Sequence, residues 1–358
     1  MMKQITRHLA EAGKPVETLT APDGMRLVVL PYGGRILGLY APGSDANFLW
    51  THPGLASADS ARALYAGTGW PNSGGVRSWL APEIDFFLPA YPETTPYVVP
   101  PAVDPGSYAV TRASQSVRME NRGVLRSFRS GQEQAFLLAK EVTFTGNPLP
   151  ALLAEYPTAM YAGYRLFTTL ECTGTPASKT PIGLWHLLQL PHGGDMIIAT
   201  REATTPMAYF DPLPNEAVTV TERAVRYRMD AKGVYKLGVK AAACTGRVGY
   251  RYDIGGASTL VVCDFTVDPH GRYIDPPWQD LCDLGYAVQA CNVSDAVLGN
   301  FSELEYHVPA IGGETGRTRC EDDSRVWAYQ GPDAFIDQAM ALLLGLDAEF
   351  RGSPNNSV

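Results

Sequence analysis

The chain has 358 residues, of which 45% are apolar and 18% are charged, and its formal net charge at pH 7 is −8. The apolar fraction is sufficient for a large core and excludes a disordered chain. The negative charge disfavours phosphate backbones and anionic lipid, so we expect neither nucleic acid nor a membrane as a partner. The 35 glycines and 28 prolines interrupt helices and are typical of many short strands joined by turns.

The first part of the chain is predicted to form β-strands. Two apolar runs flank Asp23-Gly24, a dipeptide that favours a hairpin turn. Residues 51–75, which are rich in Gly, Ala, Pro and Ser, predict a long functional loop. A short helix is predicted within that loop at Ala58–Tyr65, because Ser57 is placed to cap its first turn.

From about residue 106 to residue 330, short runs alternate apolar and polar residues, a pattern typical of sheets with one solvated face. One helix is predicted near the end, with Pro332 in its first turn and Gly345 near its last. No linker or βαβ alternation divides the chain. We therefore predict one domain over residues 1–358, an all-β fold made of a large antiparallel two-sheet β-sandwich with a C-terminal helix.

The localisation is predicted from three features. The N-terminal residues lack the apolar core of a signal peptide, and no window approaches the ~20 apolar residues that cross a bilayer. The six cysteines include no CxxC pair, and several lie in strand-like runs where buried thiols are expected. These features predict a cytoplasmic protein, and they leave a homodimer open.

Four segments carry a resemblance to a known family. Residues 31–39 (PYGGRILGL) and 47–50 (NFLW) resemble the opening strands of aldose 1-epimerases. Residues 74–83 (GGVRSWLAPE) are similar to a stretch in branches of the galactose mutarotase-like superfamily that have no assigned activity. Residues 302–310 (SELEYHVPA) resemble the late acidic strand of that superfamily. The resemblance implies a galactose mutarotase-like supersandwich, a small sugar or oligosaccharide as ligand, and catalysis without a cofactor.

The expected chemistry is general acid–base catalysis. Interconversion of anomers needs a base for the C1 hydroxyl and an acid for the ring oxygen, and it needs no metal. Strand periodicity puts Glu303, Glu305 and His307 on one face, where neighbouring carboxylates raise each other's pKa. The resemblance places the general base here, so Glu305 or Glu303 is the predicted base. The alternative is a solvated face on which these carboxylates pair with Arg or Lys.

The predicted acid is His186, a polar residue in an otherwise apolar strand. The resemblance supports this, since the epimerases carry their acidic histidine on a middle strand. Because His186 alternates with Trp185, one of the two faces the core. A structural histidine is the alternative for His186, and also for His192, which lies in a turn-like Pro-His-Gly-Gly sequence.

Arg77 and Trp79 are candidates for a sugar platform, because an aromatic ring stacks on a pyranose and a guanidinium bridges two hydroxyls. Core packing is the alternative for Trp79. Glu83 and Asp85 form a further acidic pair, and Lys236 is either a cleft residue or a solvated lysine. The substrate-binding residues predicted in full are Arg77, Trp79, Glu83, His192, Lys236 and His307.

Three functions are compatible with these residues. The first is a cofactor-free, aldose 1-epimerase-like isomerase. The second is a glycosidase or lyase on the same scaffold, and the third is a non-catalytic sugar-binding protein. The third is favoured by the segment 75–79, which stands roughly where galactose mutarotases carry an Asn and His motif. No metal-binding or nucleotide-binding motif occurs, and the sequence does not specify the sugar, its phosphorylation or its oxidation state.

Overall fold

Two large antiparallel sheets dominate the computed structural model, which describes residues 2–174 and 180–346. The strands are numbered β1 to β19 in chain order. The nine-stranded sheet has the order β1-β2-β3-β4-β9-β18-β17-β14-β11, in which the strands are β1 (Glu17–Thr20), β2 (Arg26–Leu30), β3 (Arg35–Tyr40), β4 (Val76–Ala81), β9 (Gly183–Pro191), β11 (Met207–Ala208), β14 (Gly233–Lys240), β17 (Tyr286–Asp295) and β18 (Gly299–His307).

The ten-stranded sheet packs against one face of the nine-stranded sheet. Its order is β12-β13-β10-β15-β16-β19-β8-β7-β6-β5, in which the strands are β5 (Ala109–Arg112), β6 (Ser116–Arg126), β7 (Glu133–Phe144), β8 (Met160–Thr173), β10 (Asp195–Thr200), β12 (Val218–Val220), β13 (Ala224–Arg228), β15 (Cys244–Ile254), β16 (Ala257–Asp264) and β19 (Arg319–Gly331). The predicted two-sheet β-sandwich is confirmed.

The described part of the chain forms five α-helices outside the two sheets: α1 (Met2–Glu11), α2 (Ala58–Ala66), α3 (Glu83–Phe86), α4 (Pro150–Glu155) and α5 (Asp333–Leu344). The predicted helices α2 and α5 are confirmed. Ser57 caps α2 in a reciprocal hydrogen-bond pair with Ser60, and α5 ends at Gly345 in the left-handed conformation. Among the described residues, no helix is long and apolar enough to cross a bilayer.

Helix α1 was not predicted from the sequence. Met2 and Leu9 are its buried residues, and they belong to one apolar cluster with Val28 and Leu37 of the first hairpin. Two buried side chains in ten residues give too little periodicity to indicate a helix from sequence alone. The helix depends on this tertiary packing.

Both faces of the central strands β9 and β18 are buried, which is unusual for an antiparallel sheet. The inner face packs on the ten-stranded sheet, with residues such as Leu188, Leu304 and Val326 in one core cluster. The outer face is covered by two long segments, residues 82–108 and 266–285, which we call the cap. The cap is held together where Tyr91 donates a 2.6 Å hydrogen bond to the carbonyl of Trp278. The cap thus buries the side chains in the middle of this face.

The glycine pair before β4 fixes how the chain enters the sheet. Gly75 has φ +74°, and a Cβ there would collide with the carbonyl oxygen of Ile36 on β3. Gly43 has a similar φ of +71° but no atom within 4 Å of the equivalent position.

We therefore expect Gly43→Ala to lower the free energy of unfolding by about 1–2 kcal/mol, the cost of the left-handed conformation alone. Gly75→Ala should cost clearly more, because the β3–β4 approach must also widen. Chemical denaturation of both variants measures this difference. Equal losses would show that the contact with Ile36 is unimportant.

Candidate active site

Acidic and basic side chains from three strands, β4, β14 and β18, meet on the outer face of the nine-stranded sheet, beneath the cap. Strand β18 places Glu303, Glu305 and His307 on this face, which confirms the shared face predicted from their spacing. In the register of the sheet, Glu303 lies opposite Cys291 of β17, and Cys291 lies opposite Lys236 of β14. All five side chains are buried. The alternative of a solvated face is therefore wrong for the glutamates and for Lys236, although the pairing of the glutamates with Arg and Lys that it included is observed.

Arg77 joins this cluster from β4. Its guanidinium donates a 2.6 Å hydrogen bond to Glu303 in a buried ion pair. The guanidinium carbon also lies 4.1 Å from the centroid of the Trp79 ring. Trp79 is buried, and its indole N–H donates to Asp104 of the cap. Arg77 thus occupies the ring face of Trp79 on which a sugar would have to stack. Trp79 in turn supports the guanidinium by packing against it.

Lys236 connects the sheet to the cap. Its ammonium lies 3.1 Å from Glu305 Oε2 and 3.7 Å from Glu83 Oε2, although its side chain is only 3% exposed. The same Glu305 oxygen accepts a 2.8 Å hydrogen bond from the indole N–H of Trp185, whose ring lies 4.5 Å from the ammonium. One oxygen of Glu305 therefore faces two hydrogen-bond donors, the ammonium of Lys236 and the indole N–H of Trp185.

The cap contributes Glu83, at the start of α3, and Asp275. Glu83 accepts hydrogen bonds from the Tyr97 hydroxyl at 2.7 Å and from the Trp278 indole at 3.2 Å. Asp275 accepts from the backbone N–H of Glu83 at 2.6 Å and from Gln289 of β17 at 2.9 Å. The two halves of the cap are thus joined through Glu83, directly above Lys236.

Burial and the close approach of several carboxylates determine the pKa values of the site residues. Desolvation raises the pKa of Glu305 to about 7, against the opposing effect of Lys236 and with a further contribution from Glu303. Desolvation also raises the pKa of Glu83, and Asp275 adds to that rise. For Lys236, burial favours the neutral amine, but the surrounding carboxylates outweigh it and raise the lysine's pKa. Four carboxylates surround two cations, so the site can hold a proton near neutral pH.

Several buried polar atoms facing the site have no partner among the described residues. Both side-chain atoms of the Gln189 amide are unpaired, as are the Arg77 Nε and the Gln289 carbonyl oxygen. Buried amides without hydrogen bonds are costly and need an explanation. Here they are suited to hydroxyl groups of a ligand.

His307 is stacked on Trp185, and its Nε2 lies 3.9 Å from Asp275. Burial first, and then the charge of Lys236, lower the pKa of His307 well below its usual value. The imidazole is therefore neutral at physiological pH.

His186 lies on the opposite face of the sheet, between the two sheets, and the structure does not bring it together with Glu303 and Glu305. Its Nδ1 is 3.0 Å from the Ser78 hydroxyl, and its Nε2 is 3.5 Å from Asp322 of β19. Its ring stacks on Tyr306, which donates to Asp322 at 2.9 Å. Ser78, His186 and Asp322 are all buried, so this group is an inter-sheet polar bridge that a substrate cannot reach.

Two more predicted residues lie outside the cluster. His192 occupies the bend after β9, where its Nε2 is 3.0 Å from Asn292 Oδ1. Asp85 does not pair with Glu83 in the site, because it forms a 3.3 Å ion pair with Arg129 instead. The structure therefore separates the two members of the predicted acidic pair.

Three neighbouring side chains have atoms of the kind that bind metal ions. The ligand atoms of Cys291, Glu303 and Glu305 lie within 4.8 Å of one another. However, Arg77 and Lys236 already neutralise the two carboxylates. Burial, followed by the two glutamates, also raises the pKa of the Cys291 thiol well above its usual value. This protonated, cation-flanked set is poorly suited to a divalent cation.

Several residues of the site were not predicted from the sequence, among them Tyr97, Asp275 and Gln289. Tyr97 and Asp275 lie in irregular segments, where no periodicity relates a residue to a face. Gln289 could have been predicted by the argument that was applied to His186, because it is a polar residue inside the apolar run of β17.

A family profile described as a family of unknown function, DUF6786, matches residues 4–349. The chain belongs to the DUF6786 family. Among curated proteins, none matches this DUF6786 chain.

Solved structures resemble this DUF6786 chain in fold. A candidate aldose 1-epimerase from Escherichia coli K12 has a TM-score of 0.53 and 11% identity, covering 88% of this chain and 99% of its own. A galactose mutarotase-like protein from Lactobacillus casei ATCC 334 has a TM-score of 0.50 and 10% identity, covering 87% and 99%. The predicted galactose mutarotase-like fold is confirmed, and these identities bear on the fold alone.

The contribution of the inter-sheet bridge to the stability of the fold is expected to depend on pH. Desolvation raises the pKa of Asp322 to about 6, although hydrogen bonds from Tyr306 and Ser324 oppose the rise. A carboxyl group with a raised pKa in the folded state contributes most stability when protonated, and it loses that contribution as pH rises through about 6.

Asp322→Asn should therefore gain stability relative to the wild type between pH 4 and pH 7, by on the order of 3 kcal/mol. Urea denaturation at both pH values measures it. Asp323→Asn is the control, because the hydrogen bond from Arg165 lowers the pKa of this exposed neighbour, so its trend should be small and opposite. A pH-independent difference for Asp322→Asn would contradict the account.

Proposed function

We propose that this chain binds a sugar beneath the cap and interconverts its anomers as a cofactor-free, aldose 1-epimerase-like isomerase. The single observation that carries the proposal is the position of Glu305, a buried carboxyl in contact with Lys236 and Trp185. Burial raises its pKa to about 7, which suits a group that exchanges protons at neutral pH. Glu305 lies on the sheet of a fold shared with a candidate aldose 1-epimerase. Within the proposal, Glu305 is the base and Glu303 holds Arg77 in place.

The surroundings of Glu305 support a sugar as the ligand. Trp278 and Phe210 are half-buried at the edge of the site with ring centroids 4.3 Å apart. Tyr97 is 40% exposed as a residue, although its hydroxyl is directed inward to the buried Glu83. The ring faces of such aromatic side chains pack against the C–H face of a pyranose. The unpaired Gln189 amide and Gln289 carbonyl oxygen supply donors and acceptors for hydroxyl groups.

A second candidate is a non-catalytic sugar-binding protein. It is favoured by the ion pairs that already engage both Glu303 and Glu305, and by the position of His186 on the inter-sheet face. A fold of this kind does not by itself imply chemistry. The two candidates differ in whether a bound sugar changes its anomeric configuration faster than it does in solution.

The test is mutarotation of freshly dissolved α-anomers across a panel of neutral, amino, phosphorylated and oxidised aldoses, followed by polarimetry and NMR. We expect acceleration of at least one sugar, with an activity that rises with pH around 7 as Glu305 loses its proton. Glu305→Gln should lower the rate by ~10²–10⁴-fold, the usual contribution of a general base, and should leave sugar binding largely intact.

The exposed Glu321→Gln, also on a strand, is the control and should match the wild type. Sugar binding without any acceleration by the wild type would establish the second candidate. Release of new reducing ends or unsaturated products from oligosaccharides would instead indicate a glycosidase or a lyase.

A further inference from the structure

We propose that Glu83, on the cap, is the acid partner of Glu305 and donates the proton to the ring oxygen of the sugar. The inference rests on the proposed isomerase function, and it assigns the acid role that His186 cannot fill from the inter-sheet face. It also makes the cap a part of the catalytic machinery.

The position of Glu83 relative to Glu305 supports this assignment. Both carboxylates contact the ammonium of Lys236, at 3.7 Å and 3.1 Å, so that one cation bridges them. In an aldopyranose, the hydroxyl that loses a proton and the ring oxygen that gains one are bonded to the same carbon. Two carboxyl groups separated by a single ammonium are therefore spaced to reach both oxygens of one anomeric centre.

The groups that face Glu83 come from three elements. Tyr97 donates a hydrogen bond to Oε1 of Glu83, and Trp278 donates one to Oε2. The ammonium of Lys236 approaches Oε2 from β14, and the carboxylate of Asp275 accepts a hydrogen bond from the backbone N–H of Glu83. Asp275 and Lys236 act on the acidity of Glu83 in opposite directions, and burial favours its protonated form. A carboxyl that is held by donors on both oxygens is fixed in orientation, as an acid aimed at one substrate atom needs to be.

The proton balance closes without a co-reactant. Glu305 takes the proton of the C1 hydroxyl while Glu83 gives its proton to the ring oxygen, the C1–ring oxygen bond breaks, and an open-chain aldehyde forms. After rotation about the C1–C2 bond, the former ring oxygen, now a hydroxyl, attacks the other face of the aldehyde. Its proton returns to Glu83, and Glu305 protonates the new C1 oxygen. Both carboxyl groups end as they began.

Other polar groups around the site fit the acid role less well. His307 is neutral, because its pKa is lowered well below the usual range, and it stacks on Trp185. Lys236 is held as a cation between two carboxylates. Tyr97 has a pKa raised well above its usual value, chiefly by burial, and its hydroxyl proton is donated to Glu83.

The experiment compares Glu83→Gln with Asp85→Asn in the full chain, on the sugar that the wild type turns over. Asp85 is two residues away on α3 but pairs with Arg129 outside the site, so it is a matched control. Gln has the shape of the carboxyl group and can still accept one of the two hydrogen bonds, from Tyr97 or from Trp278. We expect kcat of Glu83→Gln to fall by ~10²–10⁴-fold with binding retained, and Asp85→Asn to stay near the wild type.

A second variant tests the role through a pH profile. The active form holds one proton on the Glu83–Glu305 pair, so the wild-type rate should be bell-shaped in pH. The Tyr97 hydrogen bond stabilises the Glu83 carboxylate. Tyr97→Phe should therefore move the alkaline limb to higher pH and leave the acidic limb in place, which a purely structural contact would not do.

The outcomes separate this inference from the proposed function. Wild-type rates in a folded, sugar-binding Glu83→Gln variant would overturn the role of Glu83 and leave the isomerase proposal standing. An unshifted alkaline limb in Tyr97→Phe would also overturn it. A wild type that accelerates no sugar would overturn both.

Discussion

The buried ammonium of Lys236, held between Glu305 of the sheet and Glu83 of the cap, is the interaction on which the rest of the site depends. Carboxylates are costly to bury without a counter-charge, and removing one partner of such a group leaves the others uncompensated. With Asp275 and Glu303 nearby, negative groups exceed the two cations, and the balance is completed by protons. A site that stores protons at neutral pH is suited to transferring them.

The central strands β4, β9 and β18 have two different functions on their two faces. Their outer side chains, including Arg77, Trp185 and Glu305, form the floor of the site. On the inner face, His186 and Tyr306 contact Asp322 on the other sheet, and Ser78 is hydrogen-bonded to His186, so that this group connects the two layers. Because the bridge is directional and the apolar contacts around it are not, it favours one register between the sheets. One face of these strands therefore carries the candidate site, and the other carries the polar contact between the sheets.

Periodicity explains how much the sequence could predict. The period of two put Glu303, Glu305 and His307 together and separated Trp185 from His186, and the structure agrees with both. The sequence could not show which side of β9 faced the other sheet, since both sides are buried and no polar–apolar alternation marks the inside. His186 was assigned to the site because it is polar within an apolar strand and because of the family resemblance, and neither argument identifies the side of β9 on which it lies. Asp275 and Tyr97 lie in irregular segments, where position follows from tertiary contacts alone.

The most direct measurement is a carboxyl ¹³C NMR titration of Glu305 in the wild type, in Lys236→Met and in Lys240→Met. Lys240 lies on the same strand but pairs with Asp283 at the surface. We expect a midpoint near pH 7 in the wild type, a higher midpoint in Lys236→Met because the nearest counter-charge is lost, and no change in Lys240→Met. An ordinary midpoint near 4.5 that does not respond to Lys236→Met would contradict the account.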